Sequence, residues 1–292
     1  MARPLRIEFA GAVYHITARG DRQQLIACDD EERLTFQRVL AESIERYRWR
    51  CHSYVLLNDH YHLLLETPAP NLSQGMRHLN SVYTQAINRY RGESGHLFQG
   101  RFRAILVDSR VWLPDLACHL ARNPLRCGIV DDVAVWPWGS YPTLAGVAPK
   151  PKWLTIDPLL QRFAADRAEG QRRFSAAVAA DQGAAIWQQL RQQIYLGDDA
   201  FIEQMQRHMQ PPRDRRTIPQ QQWRPPVPPL ATIAANHPQR NAAMVAAYAS
   251  GGYSYREIAD HFGVHLSTVG RIVRSALLAA ADGSVTYNPR QK

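Results

Sequence analysis

Lysine is nearly missing from this chain: it occurs only at 150, 152 and 292, so almost all of the positive charge is arginine. The formal net charge of +9 therefore sits on guanidinium forks, which suit phosphate better than ammonium groups do. A GC-rich coding bias accounts for such a skew equally well, so the charge by itself raises a polyanion partner and no more. Paired-cysteine spacing is absent too. Cys28, Cys51, Cys118 and Cys127 form no CxxC, which excludes a zinc-ribbon pattern and fits a reducing, cytoplasmic setting. No apolar run is long enough to cross a bilayer, and the opening MARPLRIEF lacks the continuous apolar stretch of a signal peptide. A membrane partner is not expected. No internal repeat is visible.

What is present suffices for a globular protein, with 292 residues of which 45% are hydrophobic. Residues 11–18, GAVYHITA, alternate as a strand does. Residues 30–47 open with acids and set Leu34, Phe36, Val39, Leu40 and Ile44 on one helical stripe. WRCHSYVLL and HYHLLLET are strand-like runs parted only by ND, the spacing of a tight antiparallel hairpin. A second helix is expected over 72–90, a strand over 104–109, and a helix over 111–123 that Pro124 stops. The order β-α-β-β-α-β predicts an α+β, ferredoxin-like domain over residues 1–130, followed by a further helix. A Trp/Pro-rich connector at 131–208 leads into expected helices from about 155. Residues 209–237 read as a proline-rich linker and 238–280 as a compact all-α domain.

In that last segment, YSYREIADHFGVHLSTVGRIVRSA fits a helix-turn-helix. Ser254 and Glu257 make a capping box, Ala259 is the small residue at the helix crossing, and Gly263 supplies the turn. Ile258, Phe262, Val264, Val269 and Ile272 are the positions such a unit buries, with helix 240–249 in support. Ser267, Thr268, Gly270, Arg271 and Arg274 are left to face a DNA groove or phosphates. A small helical bundle with no DNA role is the plainer alternative.

The chemistry-bearing feature is LLNDHYHLLLE, residues 56–66. On a strand, His60 and His62 point to one face about 7 Å apart, while Tyr61 points to the other. Two neutral imidazoles on a rigid strand suit a divalent ion that needs at least one further ligand, although chance pairs of this kind are common. On the following helix Leu113, Leu116, Ala117, Leu120 and Ala121 form an apolar face. His119 and Asn123, four residues apart, share the opposite side.

MARPLRIEFAGAVYHITARG, NDHYHLLLETP, GHLFQGRFRAILVD and RNPLRCGIV together resemble the HUH-type single-tyrosine transposases, in particular the REP-associated tyrosine transposases. The resemblance runs from residue 1 to about 145 and returns in the helix-turn-helix. It implies that His60 and His62 are metal ligands with Asn123 as the third, around Mg²⁺ or Mn²⁺ polarising a scissile phosphate. It implies single-stranded hairpin DNA as partner, duplex through the helix-turn-helix, and a homodimer. It also implies cleavage and strand transfer by a tyrosine four residues before the asparagine, through a phosphotyrosine intermediate. Here that residue is His119, in the pair Cys118-His119.

Three outcomes stay open for that departure. The protein binds hairpins without normal cleavage, His119 being able to join His60, His62 and Asn123 around the metal instead; or it cleaves through His119, a water or another tyrosine such as Tyr83 or Tyr90; or the helix is out of register with the family pattern. The rival class is a non-catalytic DNA-binding regulator made from a transposase. Arg101 and Arg103, after HLFQG, are candidate clamps on the DNA backbone. His15, on the first strand, is expected to pack. Arg19, Arg22, Arg77 and Arg89 are further candidate phosphate contacts. Trp49, Trp136 and Trp138 read as apolar anchors rather than base platforms.

Overall fold

The computed structural model describes residues 6–208, 228–250 and 252–281, which fall into two compact units, one on either side of the proline-rich stretch. In the first unit β1 (Ala12–Arg19), α1 (Asp30–Tyr47), β2 (Arg50–Leu56), β3 (His60–Thr67), α2 (Leu72–Arg91) and β4 (Arg103–Val107) follow the expected order. The strands lie β2-β3-β1-β4 with every neighbour antiparallel, the ferredoxin-like arrangement. The Asp29 side chain caps α1 by accepting from the Glu32 amide, and Arg48 closes it in the left-handed region at φ 54°. Of the stripe on α1, Phe36, Val39, Leu40 and Ile44 are buried, but Leu34 is 50% exposed.

One face of the sheet is covered by α1 and α2, where Phe36, Tyr61, Tyr83 and Phe98 pack ring against ring. Tyr83 is fully buried there and donates to the Ile26 carbonyl at 2.6 Å, so it belongs to the core and not to any reaction. Tyr90 is exposed and bonded to Asp29 at the start of α1. On α2, Gly75 meets the Trp49 ring so closely that a Cβ would lie 2.1 Å from it.

The helix expected over 111–123 is two elements: α3 (Ser109–Ala121) and a single turn, α4 (Asn123–Arg126), joined through Arg122 at φ −86°, ψ −2°. Pro124 starts α4 rather than stopping α3, because proline lacks only an N–H that a first helical turn leaves unpaired anyway. Along the connector come α5 (Tyr141–Leu144), α6 (Asp157–Leu160), α7 (Arg167–Ala179), and α8 (Asp199–Arg207). Between α7 and α8 the expectation of helix fails: β5 (Leu190–Arg191) and β6 (Tyr195–Leu196) extend the sheet, β6 running parallel to β4. Two-residue strands carry no readable periodicity. They form because the outer edge of β4 offers unpaired backbone groups, which Leu106 N–H and Asp108 N–H satisfy on Ile194 and Leu196. At the opposite edge, Leu56 N–H donates to the Trp138 carbonyl and Ser140 N–H to the Tyr54 carbonyl, so the Trp/Pro-rich segment covers β2. Trp136 is an anchor there, its indole N–H on the Leu56 carbonyl.

The second unit holds α9 (Leu230–Asn236), α10 (Arg240–Ala249), α11 (Tyr255–Phe262) and α12 (Leu266–Ala281). Residues 230–236 were expected as linker; they form a helix because Ile233 is buried with Met244, Ala247, Ile258, Val269 and Val273. The remainder of that linker, 209–227, lies outside the described residues. The Ser254–Glu257 capping box is present in both directions, and Gly263 takes φ 62° at the turn. Gly270 is buried against Tyr255 and so cannot face a groove, whereas Ser267, Arg271 and Arg274 are exposed and Thr268 is half-buried. No helix among the described residues is long and apolar enough to cross a membrane.

Replacing Gly75 with alanine should destabilise the first unit by about 1–3 kcal/mol, the usual cost of overpacking. Urea denaturation followed by tryptophan fluorescence would check this, and an unchanged midpoint would contradict the packing described.

Candidate metal and nucleic-acid site

The register of the sheet assembles the site. Thr17 on β1 lies opposite both His62 on β3 and Arg103 on β4, and Arg19 lies opposite His60. Side chains alternate along a strand, so His15, Thr17, Arg19, His60, His62 and Arg103 all emerge on the face away from α1 and α2. His60 and His62 stand closer than strand geometry alone suggests, their rings 5.0 Å apart and nearly perpendicular.

Each of these two imidazoles has one nitrogen engaged. His60 Nδ1 donates to Asp59 Oδ1 at 2.6 Å, and Arg19 holds the other Asp59 oxygen at 2.9 Å. That arrangement fixes the His60 tautomer with its Nε2 lone pair free, the usual outer support of a metal-binding histidine. His62 Nδ1 lies 2.9 Å from His15 Nε2 and 3.1 Å from Thr17 Oγ1, again leaving Nε2. The His15 and His62 rings stack 5.1 Å apart. Burial, joined by the neighbouring histidines, holds His62 well below its ordinary pKa, so it is a neutral donor at physiological pH.

Asn123 is buried, and its amide nitrogen has no hydrogen-bond partner among the described residues. It opens α4, whose C-cap Cys127 has its thiol raised by burial and by the charge of Asp59. Two open imidazole nitrogens suit a divalent ion, whereas the unpartnered atom of Asn123 is an N–H donor, so that residue could ligate only through its carbonyl oxygen. Among the described residues no group of three or more His, Cys, Asp and Glu side chains is placed to hold a metal ion.

His119, in the last turn of α3, is only 6% exposed and has both ring nitrogens engaged. Trp187 Nε1–H donates to its Nε2 at 3.0 Å, which makes Nε2 the acceptor and puts the proton on Nδ1, 3.2 Å from the Gly183 carbonyl. Arg126 donates to the His119 carbonyl at 2.9 Å and pairs with Asp181. Burial first, then the Arg126 charge, lowers the His119 pKa to about 4. The Trp187 ring also lies 5.0 Å from His15. A run of rings, His60–His62–His15–Trp187–His119, thus joins β3 to α3.

The segment carrying Trp187 can approach α3 this closely only because of Gly183. It adopts φ +82°, and a Cβ there would fall 2.2 Å from the Asp115 carbonyl. Beside the rings opens a cleft of ≈ 580 Å³ lined by His15, Thr17, Arg19, His62, Gln99, Arg101, Arg103 and Trp187, among others. Arg101 and Arg103 thus share this cleft with His62 and His15. No tyrosine lines this cleft among the described residues.

Sequence reasoning missed three contributors. His15 contacts His62 directly instead of simply packing, and a signal existed: pairing the two strand-like runs puts His15, Thr17 and Arg19 on the histidine face. Asp59 was legible as a neighbour only. Trp187 had no signal, since nothing near it alternates or repeats.

Residues 9–112 match the family model described as Transposase IS200 like, and residues 238–279 match that of a homeodomain-like domain. Over 117 residues the chain is 24% identical to a putative REP-associated tyrosine transposase of Haemophilus influenzae, covering 36% of this chain and 66% of that relative. A solved structure of a REP-associated tyrosine transposase bound to a REP hairpin is similar at 16% identity and a TM-score of 0.45, over 53% of this chain and 95% of the other.

The buried histidines make stability depend on pH in a stated direction. His119 at about 4 and His15 at about 3 titrate below the ordinary 6.5, so the unfolded chain binds more protons in that window. Stability is then fully present above pH 6.5 and lost as pH falls towards 4, with up to about 1.4 kcal/mol per pH unit from each such group. Urea midpoints at pH 7 and pH 5 should differ accordingly, and the slope should flatten in His119→Gln. Equal slopes in the two proteins would remove His119 from this account.

Proposed function

We propose that this chain is an IS200-like transposase of the REP-associated tyrosine branch that binds single-stranded and hairpin DNA but has given up tyrosine-type cleavage and rejoining. The observation carrying this reading is His119. A nucleophile must be exposed and hold a lone pair towards phosphorus, whereas this imidazole is buried, neutral and bonded at both nitrogens. Cys118 beside it is buried as well, and its thiol is pushed up to about 12 by burial, so it cannot stand in as a thiolate.

Binding is supported by the remaining groups. Arg19, Arg101 and Arg103 bring positive charge to a cleft floored by neutral histidines, a surface on which a phosphate backbone releases its counterions. His60, His62 and Asn123 would hold the ion, Mg²⁺ or Mn²⁺, with Asp59 orienting His60 from behind. Bound there, such an ion supplies charge to a phosphate oxygen. The homeodomain-like unit offers Ser267, Thr268, Arg271 and Arg274 on α12 for duplex DNA, with Arg274 held by the Gly270 carbonyl at 3.0 Å.

The retained ligand set favours a second reading, in which water attacks the phosphate without a covalent enzyme–DNA species.

One assay separates the readings. The full chain with Mn²⁺ and a labelled hairpin oligonucleotide should shift the DNA without forming an adduct stable to denaturant. Free cleaved product would support the water route. An adduct formed by the wild type as fast as by His119→Tyr would refute the proposal. Separately, His60→Ala combined with His62→Ala should abolish Mn²⁺ binding in calorimetry; undiminished binding would place the ion elsewhere. In the second unit Arg271→Ala should weaken duplex binding and lower its log–log salt slope by about 1, as expected for one lost phosphate contact. An unaltered slope would take Arg271 off the DNA.

A further inference from the structure

We infer that Trp187 is a stacking platform for one base of single-stranded DNA, and that His119 is its positioning residue. The inference deepens the proposed DNA binding and rests on it.

Three tryptophans show the contrast. Trp49 and Trp136 are 4% and 9% exposed, each with its indole N–H bonded inside the first unit, and both act as anchors. Trp187 is half-buried and forms part of the wall of the open cleft, on a segment whose neighbours Gln188 and Gln189 are exposed. Its polar edge is already satisfied, because Nε1–H points into His119 at 3.0 Å and the two rings stand at 87°. An indole so bonded has its one polar group satisfied, and although the ring packs beside His15 at 5.0 Å it still lines the cleft, where a base would meet ring carbon.

The ring is also held in place before any ligand arrives. His119 binds the segment twice, at the Gly183 carbonyl and at Trp187, four residues apart. Arg122 adds a bond to the Val178 carbonyl at 2.8 Å, and Gln182 reaches Asp115. Gly183 has no room to shift towards α3. A rigid aromatic costs little conformational entropy on binding, and base–aromatic stacking tolerates any sequence because every base has a π-face. Around the ring, Arg19, Arg101 and Arg103 supply the phosphate contacts that such platforms are paired with. The residue at 119 thereby has a purpose that a nucleophile could not combine with attack: its acceptor nitrogen is spent on the indole.

The test uses the full chain in EDTA with two probes, a blunt DNA hairpin and the same hairpin carrying a single-stranded flank. Trp187→Ala should bind the flanked probe about 10-fold more weakly and the blunt probe as the wild type does. Trp187→Phe should stay within about 3-fold on both, since it retains a ring. The flanked probe should quench wild-type fluorescence more than that of Trp187→Phe, the difference being Trp187 itself. His119→Leu should lose that extra quenching, and His119→Gln, which can still accept from the indole and donate to Gly183, should restore it. Equal loss on both probes, or quenching that does not differ between wild type and Trp187→Phe, would overturn the inference and leave the wider DNA-binding reading standing. Wild type that retains neither probe would defeat that reading and this inference together.

Discussion

Everything at the site depends on β1 being paired on both sides. As the central antiparallel strand it sets Thr17 against His62 in one direction and against Arg103 in the other. Because the side-chain period of a strand is two, a slip of one residue in the β1–β3 ladder would send the histidines into the packed core under α1 and α2 and bring Tyr61 out, and a slip in the β1–β4 ladder would turn Arg103 away from the site. The burial of Tyr61, bonded to Asn80 at 2.5 Å, thus fixes the outward position of His60 and His62 as firmly as anything in the site itself.

This dependence explains which parts were legible in the sequence. The hairpin around Asn58–Asp59, the acid-led α1 and the capping box on α11 are local devices, each written within a few residues, and each appears where expected. So does the shared face of His60 and His62. What stayed hidden is non-local. His15 reaches His62 across a ladder, and Trp187 reaches His119 across 68 positions of chain. The short strands β5 and β6 exist only because β4 had an open edge to fill. The helix Leu230–Asn236 sat inside a proline-rich run whose composition outweighed the single buried Ile233.

The same distinction bears on His119. From spacing, it shares a helical side with Asn123 and reads as a candidate for attack or for a metal. In the fold, a kink at Arg122 puts the two residues on different helices, and the segment after α7 takes up both imidazole nitrogens. The residue type was visible from the start; its partners were not, and the partners decide the chemistry. An imidazole that accepts from an indole and donates to a backbone carbonyl is a neutral bracket between α3 and a loop.

That the wall carrying Trp187 comes from far beyond the transposase-like residues has a consequence for the order in which the molecule forms. During synthesis β1 to β4 emerge first and can close their antiparallel ladder with α1 and α2, setting the histidine face before the cleft exists. Until residues 183–196 arrive, β4 keeps an unpaired edge and His119 lacks both of its partners. A nascent or truncated chain ending after α3 would therefore present a formed histidine pair on an open sheet, with the position at 119 accessible. Completion of the strand order and occlusion of that position are one and the same late event.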